Sequence, residues 1–430
     1  MEFLSKIFTI FAVATLPFIP GPVYAWPFVF FILAAAVLQL LLVLGKRTTL
    51  GPEKLSFWAK LFCFFFLFLI LGSINSALFY GFDYTADRGV FIDFFLLAVY
   101  MLGFLLVFFH ATDPRFRRGV FIAFLSPLIF APFIFMPDAA KPLTLVSGTN
   151  MFEGLLKGEP TSFASFALMP FILLAALFVR EVDWKRRAPY FIGMTLAASL
   201  VLWSGIRSAW LIALFSAIFI LVFEFKHRTT RRAAFVATAL FLLSLSAAVS
   251  FFLLPHDAQI SILNRIFPQV TDYTYSGKMI EGISLKKAID KIISNPVPSL
   301  PAQERSTIWS QSVKLLAENP FGLGIDYHVS SHAILQDGFI TTAHNLFLET
   351  GLQGGIGALI ILIFLLKEIS FSLKNAPEKS TEWLVLALAV LNFFSIAFVS
   401  NGFWGGGLIV AALILSLERR NDTDIRPSPR

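Results

Sequence analysis

A dozen stretches of this chain are apolar for close to the ~20 residues that a helix needs to cross the hydrocarbon of a bilayer. They are parted mostly by short charged or Pro/Gly-rich breaks. Spans are predicted near residues 7–24, 27–45, 58–80, 90–110, 119–136, 162–179, 188–204, 207–224, 233–254, 343–366, 383–400 and 405–418. Backbone exposed to lipid must satisfy its own hydrogen bonds, so a helical bundle follows. The expected fold class is therefore an all-α polytopic membrane protein of about 12 transmembrane helices.

Composition agrees. Hydrophobic residues make up 57% of the 430 residues, charged ones only 14%, and mean hydropathy is +0.77, far more apolar than one water-soluble core requires. The net charge of +7 does not point to nucleic acid, because Lys and Arg cluster at the ends of apolar runs. The single cysteine, Cys63, lies within an apolar run and rules out a disulfide framework or a Cys-based metal site in one chain.

Charge also sets an expected orientation. Lys46/Arg47, Arg115/Arg117/Arg118, Arg180/Lys185/Arg186/Arg187, Lys226/Arg228/Arg231/Arg232, Lys367/Lys374/Lys379 and Arg419/Arg420 fall on alternate connections, which the positive-inside rule assigns to the cytoplasm. Both termini then face in. Lys6, an apolar stretch and the Val-Tyr-Ala ending at Ala25 resemble a signal peptide, but Glu2 offsets Lys6, and Pro17, Pro20 and Pro22 suit the outer end of a span. An uncleaved first span is expected.

One outer connection, residues 255–342, is long and mixed in polarity. It divides the chain into an N-terminal membrane bundle (1–254), an extracytoplasmic subdomain (255–342), C-terminal membrane helices (343–418) and a cytoplasmic tail (419–430). Within the subdomain, Ile280, Ile283, Ala288, Ile289, Ile292 and Ile293 mark one amphipathic helix. Ile308, Trp309, Val313 and Leu316 mark a second, ending before Asn319-Pro320.

Three segments carry polar chemistry on the outer side. In Ala343-His344-Asn345-Leu346-Phe347-Leu348-Glu349-Thr350-Gly351, a histidine stands where the outer loop enters a membrane helix. With a pKa near neutrality, His344 can take a proton from a sugar hydroxyl, and equally can cap or bond a helix end. If the segment is helical, Asn345 and Glu349 share a face. Gly351, Gly354, Gly355 and Gly357 read as a small-residue packing face. In Trp203-Ser204-Gly205-Ile206-Arg207-Ser208, an arginine sits in a tight outer turn, where its planar donors suit a diphosphate or snorkel to the interface. Arg305 opens the helix that carries Trp309 and is followed by the Pro320-to-Gly324 loop; it suits a second phosphate contact or an ion pair with Glu304. Arg88, Lys141, Asn150, Glu153, Lys157, Glu159, Arg265, His328 and His332 read as solvated side chains. His328 and His332 are four apart but lack a third ligand, so no metal site is expected.

In this order and on this side, the segments resemble the O-antigen ligase and O-antigen polymerase superfamily. The resemblance rests on the Ser204-Gly205-Ile206-Arg207-Ser208 turn, the Arg305-to-Trp309 helix with its Pro320-to-Gly324 loop, and His344, Asn345, Leu348, Glu349, Gly351, Leu352 and Gly354. It implies a GT-C-like bundle in a bacterial cytoplasmic membrane that moves a glycan from an undecaprenyl-diphosphate carrier to an acceptor hydroxyl, lipid A-core or a growing glycan, on the periplasmic face. It implies no cofactor and no metal. Arg207 and Arg305 would hold the diphosphate and His344 would act as base, with inversion at the anomeric carbon. Asn345, Glu349, Ser204 and Trp309 would contact or orient substrate. The acidic residue follows the histidine more closely than in many relatives, and Gly158-Glu159-Pro160-Thr161-Ser162 lacks a Pro-Asn pair, which leaves the subfamily open. A polymerase of O-antigen or exopolysaccharide and a protein O-oligosaccharyltransferase share the donor chemistry. A polysaccharide transporter fits less well, since the polar residues cluster at the interface rather than the bilayer midplane.

Overall fold

The computed structural model describes residues 1–16, 26–45, 53–80, 88–129, 160–181, 183–203, 207–227, 302–325, 345–376, 381–396 and 406–424, with positions 249 and 252. Among them the regular elements are helical: α1 (Glu2–Thr15), α2 (Trp26–Leu44), α3 (Glu53–Tyr80), α4 (Arg88–His110), α5 (Pro114–Ala123), α6 (Pro160–Arg180), α7 (Trp184–Trp203), α8 (Arg207–His227), α9 (Ala302–Glu318), α10 (Leu346–Asn375), α11 (Thr381–Ile396) and α12 (Leu408–Asp424). The chain forms two compact units, Met1–Phe124 with Glu304–Arg430, and Leu125–Gln303. The expected span at 233–254, apart from positions 249 and 252, and the amphipathic helix around Ile280–Ile293 lie outside the described residues.

Four described segments are long and apolar enough to cross a bilayer: Trp26–Leu44, Leu55–Phe79, Phe91–His110 and Leu346–Asn375. The shortest, at 19 residues, is about 28 Å long at 1.5 Å per residue, close to the hydrocarbon thickness. Shorter apolar helices cover Phe166–Arg180, Ala209–Ile220, Glu382–Phe393 and Leu408–Leu417. Their surfaces identify the solvent. On α2, Phe30, Val37, Leu40 and Leu44 are exposed while Phe28, Ile32 and Ala35 on the other face are buried, so both faces are apolar. On α3, Phe64, Leu67, Ile70, Ile74 and Leu78 are exposed in the same way. Such stripes exceed what a soluble monomer shows, and lipid is the medium that accommodates them. The protein is a multi-pass membrane protein.

The first unit is built around α12, whose residues from Leu408 to Leu415 are each at most 4% exposed. That burial comes from α4, α10 and α11, which pack against it. Aromatic side chains fill the space between α3 and α4: Phe104 lies edge-on to Phe62 at 4.9 Å and to Trp58 at 5.7 Å. Trp58 and Phe57 also meet Phe364 of α10. Farther along, Phe68 abuts Gly357, and Leu69 and Gly72 abut Gly354 and Gln353. Residue numbers fall on α3 as they rise on α10, so the two helices run antiparallel. In the second unit α6 packs on α7 and α8, and a methyl group added at Gly193 would lie 2.7 Å from Leu174 Cδ1.

The fifth span expected, at 119–136, begins inside a different element. α5 starts at Pro114, is capped by the Asp113 carboxylate accepting from the Arg115 amide at 2.8 Å, and ends at Ala123. It packs against α1, and its buried residues include Arg117. Around it lies a charged end of the first unit. Lys6 Nζ contacts Glu2 at 2.8 Å and Asp113 at 2.9 Å, and its hydrogen bond holds the Asp113 carboxyl below the ordinary range. Arg117 Nε pairs with Glu382 at the start of α11 at 3.1 Å, and its Nη1 donates to the Ala111 carbonyl. Ser5 Oγ donates to the Ala35 carbonyl and lies 3.2 Å from His110 Nε2.

Arg117 thus ties α4, α5 and α11 together with its charge almost wholly buried. Arg117→Ala leaves the Glu382 carboxylate without this partner and is expected to destabilise the protein by about 2–3 kcal/mol, below the ~3–5 of a fully buried pair because Glu382 keeps some exposure. Thermal unfolding in detergent checks this, and the double variant Arg117→Met/Glu382→Leu is expected to recover much of the loss.

Candidate functional site

The opposite end of the first unit is organised by a break in α10. At Gly355 the backbone takes φ 70° and ψ −167°, a conformation open essentially to glycine, and the helix resumes beyond it. A break within an apolar helix leaves amides and carbonyls that lipid cannot satisfy. They are satisfied by the loop that follows α9. The Leu323 amide donates to the Leu352 carbonyl at 2.6 Å, the Gly324 amide to the Gln353 carbonyl at 2.9 Å, and the Ile356 amide to the Pro320 carbonyl at 2.9 Å.

The sequence of this loop matches its task. Gly322 and Gly324 both have φ 85°. A Cβ on Gly322 would lie 2.5 Å from the Gly355 amide nitrogen, and one on Gly355 would overlap the Pro320 carbonyl oxygen. Asn319, 4% exposed, donates from Nδ2 to the Leu315 carbonyl and ends α9. Leu315, Leu323 and Leu352 form a buried cluster with Leu316 and Leu348 against it, so α9, the loop and the head of α10 share one core. The helix anticipated before Asn319-Pro320 is α9, but its buried stripe is Ser312, Leu315 and Asn319, while Trp309 and Val313 are exposed.

α10 begins one residue later than a shared Asn345–Glu349 face requires. Asn345 is extended (φ −148°, ψ 116°) and is the N-cap: its Oδ1 accepts from the Phe347 and Leu348 amides at 3.0 and 3.3 Å. Glu349, in the first turn, accepts at Oε1 from Gln353 Nε2 at 3.2 Å. Both are half-buried. Arg305 lies in the first turn of α9, one turn before Trp309. Arg207 is the first residue of α8 in the second unit. The connection from α7 to α8 is held by Trp210, whose indole donates to the carbonyls of Val201 at 3.0 Å and Leu202 at 3.2 Å near the end of α7. His344 and Ser204 lie outside the described residues, as do the side chains of Arg207 and Arg305.

The glycines read as a packing face do pack. A Cβ on Gly351 would lie 2.9 Å from Leu316 Cδ2, one on Gly354 3.1 Å from Leu69 Cδ2, and one on Gly357 would overlap the Phe68 ring. Gly355 differs, since its conformation is what breaks the helix. Two residues of α3 went unnoticed in the sequence. Asn75 Nδ2 donates to the Gly322 carbonyl at 2.9 Å, and Gly72 admits the Gln353 carbonyl and the Gly324 amide against the α3 backbone.

The model of the O-antigen ligase family matches residues 192–363, from within α7 to a point past the break in α10. This stretch, under half of the chain, is similar to the O-antigen ligase family, which supports the O-antigen ligase and polymerase superfamily and its place in polysaccharide and lipopolysaccharide biosynthesis. No curated protein and no solved structure is significantly similar to the chain. The matched span takes in Ser204, Arg207, Arg305, Trp309, His344, Asn345 and Glu349, and the loop docked on the break. The family similar to this stretch implies a ligase- or polymerase-type enzyme with a lipid-linked glycan donor and a glycan acceptor.

The break itself is testable. Gly355→Ala demands a backbone conformation that alanine avoids and drives a methyl into the Pro320 carbonyl, so a loss of about 3 kcal/mol or more is expected. Lowered yield of folded protein and a lower unfolding midpoint check it. Ala358→Gly, in ordinary helix three residues on, is expected to cost only about 1 kcal/mol from propensity, plus the loss of one methyl contact.

Proposed function

We propose that this protein is an O-antigen ligase working at the periplasmic face of a bacterial inner membrane. It transfers a glycan from an undecaprenyl-diphosphate carrier to a hydroxyl of lipid A-core, through a GT-C-like bundle of about 12 helices with both termini in the cytoplasm. The observation that carries the reading is the family match, which spans every polar residue proposed for the site.

Geometry and charge support the side. The loop, the break and Asn345 lie at the end of the first unit opposite Lys6, Asp113, Arg117 and Glu382, because α3 and α10 run antiparallel and α4 returns along them. Lys367 and Lys374 belong to the charged end as well, which the positive-inside rule assigns to the cytoplasm. The end with Asn345 then faces outward, where a carrier lipid can lie in the bilayer with its diphosphate at the interface.

In the proposed reaction the acceptor oxygen attacks the anomeric carbon as His344 takes its proton. The bond from that carbon to the diphosphate oxygen breaks, and the electron pair leaves with the carrier diphosphate. Arg207 and Arg305 stabilise the charge that grows on that group, an electrostatic task suited to a site of low dielectric. Attack and departure on opposite faces invert the anomeric configuration. No step requires a metal or cofactor. Glu349, held by Gln353, and Asn345, which fixes the first turn of α10, orient the histidine segment or the sugar; Ser204 and Trp309 contact substrate.

With purified protein in liposomes, His344→Ala is expected to lower transfer by about 10²–10⁴-fold, the range for loss of a general base, and Arg207→Ala by a comparable factor for loss of charge stabilisation. Wild-type rates in both would overturn the site. Deleting the gene distinguishes acceptors. Lipopolysaccharide without O-antigen and accumulated carrier-linked polymer supports the ligase; single-repeat products identify a polymerase, and unglycosylated secreted proteins a protein oligosaccharyltransferase.

A further inference from the structure

We propose that Asn75 of α3 is a positioning residue for glycan transfer, fixing the register between α9 and α10 by pinning the loop Pro320–Ile325 onto the break at Gly355. The proposal rests on the reading that transfer takes place where α9 and the head of α10 meet.

An asparagine in an apolar helix needs a partner, and Asn75 has one far away in the chain. Its Nδ2 donates to the carbonyl of Gly322, the glycine at the apex of the loop. One turn earlier, Gly72 removes the side chain that would separate α3 from the joint: a Cβ there would overlap the Gln353 carbonyl oxygen and lie 2.9 Å from the Gly324 amide nitrogen. The Gly324-to-Gln353 hydrogen bond therefore runs directly against the α3 backbone. α3 thus forms the wall against which the joint closes, and Asn75 is a side-chain latch on it.

The consequence follows from the chain. Three backbone hydrogen bonds and a small leucine cluster join α9 to α10, and the segment carrying Asn345 and Glu349 is the short piece of α10 before the break. If Gly322 slips, the piece before the break is free to turn about Gly355, and Arg305 in α9 moves relative to the histidine segment. Displacements of ~1 Å at reacting groups can cost about a hundredfold in rate.

The test uses the full-length protein in liposomes, with Cys63→Ser and spin labels at Val313→Cys on α9 and Ile360→Cys on α10, both exposed positions. Asn75→Ala is expected to broaden the distance distribution between the labels and to lower kcat about tenfold to a hundredfold while the donor KM changes little. Asn75→Asp, which has no N–H to donate, should match it. Asn75→Gln, which keeps an amide, should recover part of both. If the alanine variant does not fold, Asn75→Ser serves in its place. An unchanged distance distribution in the alanine and aspartate variants, or a broadened one with wild-type kcat, overturns the proposal. If wild-type protein transfers no glycan, the transfer reading fails instead, and the distance distribution alone still decides whether Asn75 pins the loop.

Discussion

A backbone break inside lipid has to be repaired by protein, and the repair at Gly355 sets the arrangement of the end of the first unit where α9 meets the head of α10. The donors and acceptors freed by the break are taken up by a loop rather than by water, so the loop cannot be a free surface segment. That requirement accounts for the local sequence. Gly322 and Gly324 supply the left-handed backbone, Pro320 leaves its carbonyl for the Ile356 amide, and Gly72 lets α3 close on the result. The same joint makes α9 part of the core under the head of α10.

The other end of the unit is held differently. There, buried or half-buried ions link elements that are distant in sequence: Lys6 to Asp113, and Arg117 to Glu382. Such pairs are directional enough to set which helices meet. One end of the bundle is thus locked by charge and the other by backbone hydrogen bonds and glycine contacts. The apolar length between them contributes little specificity beyond aromatic and small-residue packing, since lipid competes equally for every leucine.

Much of the membrane architecture was legible because its cause is local. Runs of apolar residues mark α2 and α4 to within two residues, and Asn319-Pro320 marks the end of α9, whereas α3 starts at Glu53 and α10 runs on to Asn375, helix extending past the apolar run into charged sequence. Other features were illegible for a physical reason. Nothing near Asn75 in the sequence announces a hydrogen bond to a residue 247 positions away. The glycines after Glu349 have one composition but two roles, and only the positive φ of Gly355 separates the break from the packing face. Asn345 shares a face with Glu349 only if both are helical. As the N-cap it is extended instead, because its side chain replaces the missing carbonyl acceptors of the first turn.

The two kinds of fastening suit what the family's chemistry demands. A lipid-linked glycan brings its reactive bond to the interface on an anchor that diffuses within the bilayer, so the acceptor and the carrier must be met by groups whose spacing does not depend on the substrate. A short helical piece capped by Asn345, whose far end is tied to α9, answers that demand with backbone hydrogen bonds, a leucine cluster and the Asn75 side chain. The residue proposed as cation, Arg305, begins that same α9, and the residue proposed as base, His344, precedes the cap 39 positions further on in the chain. Under the proposed function, side chains outside the joint then remain available for recognising sugars.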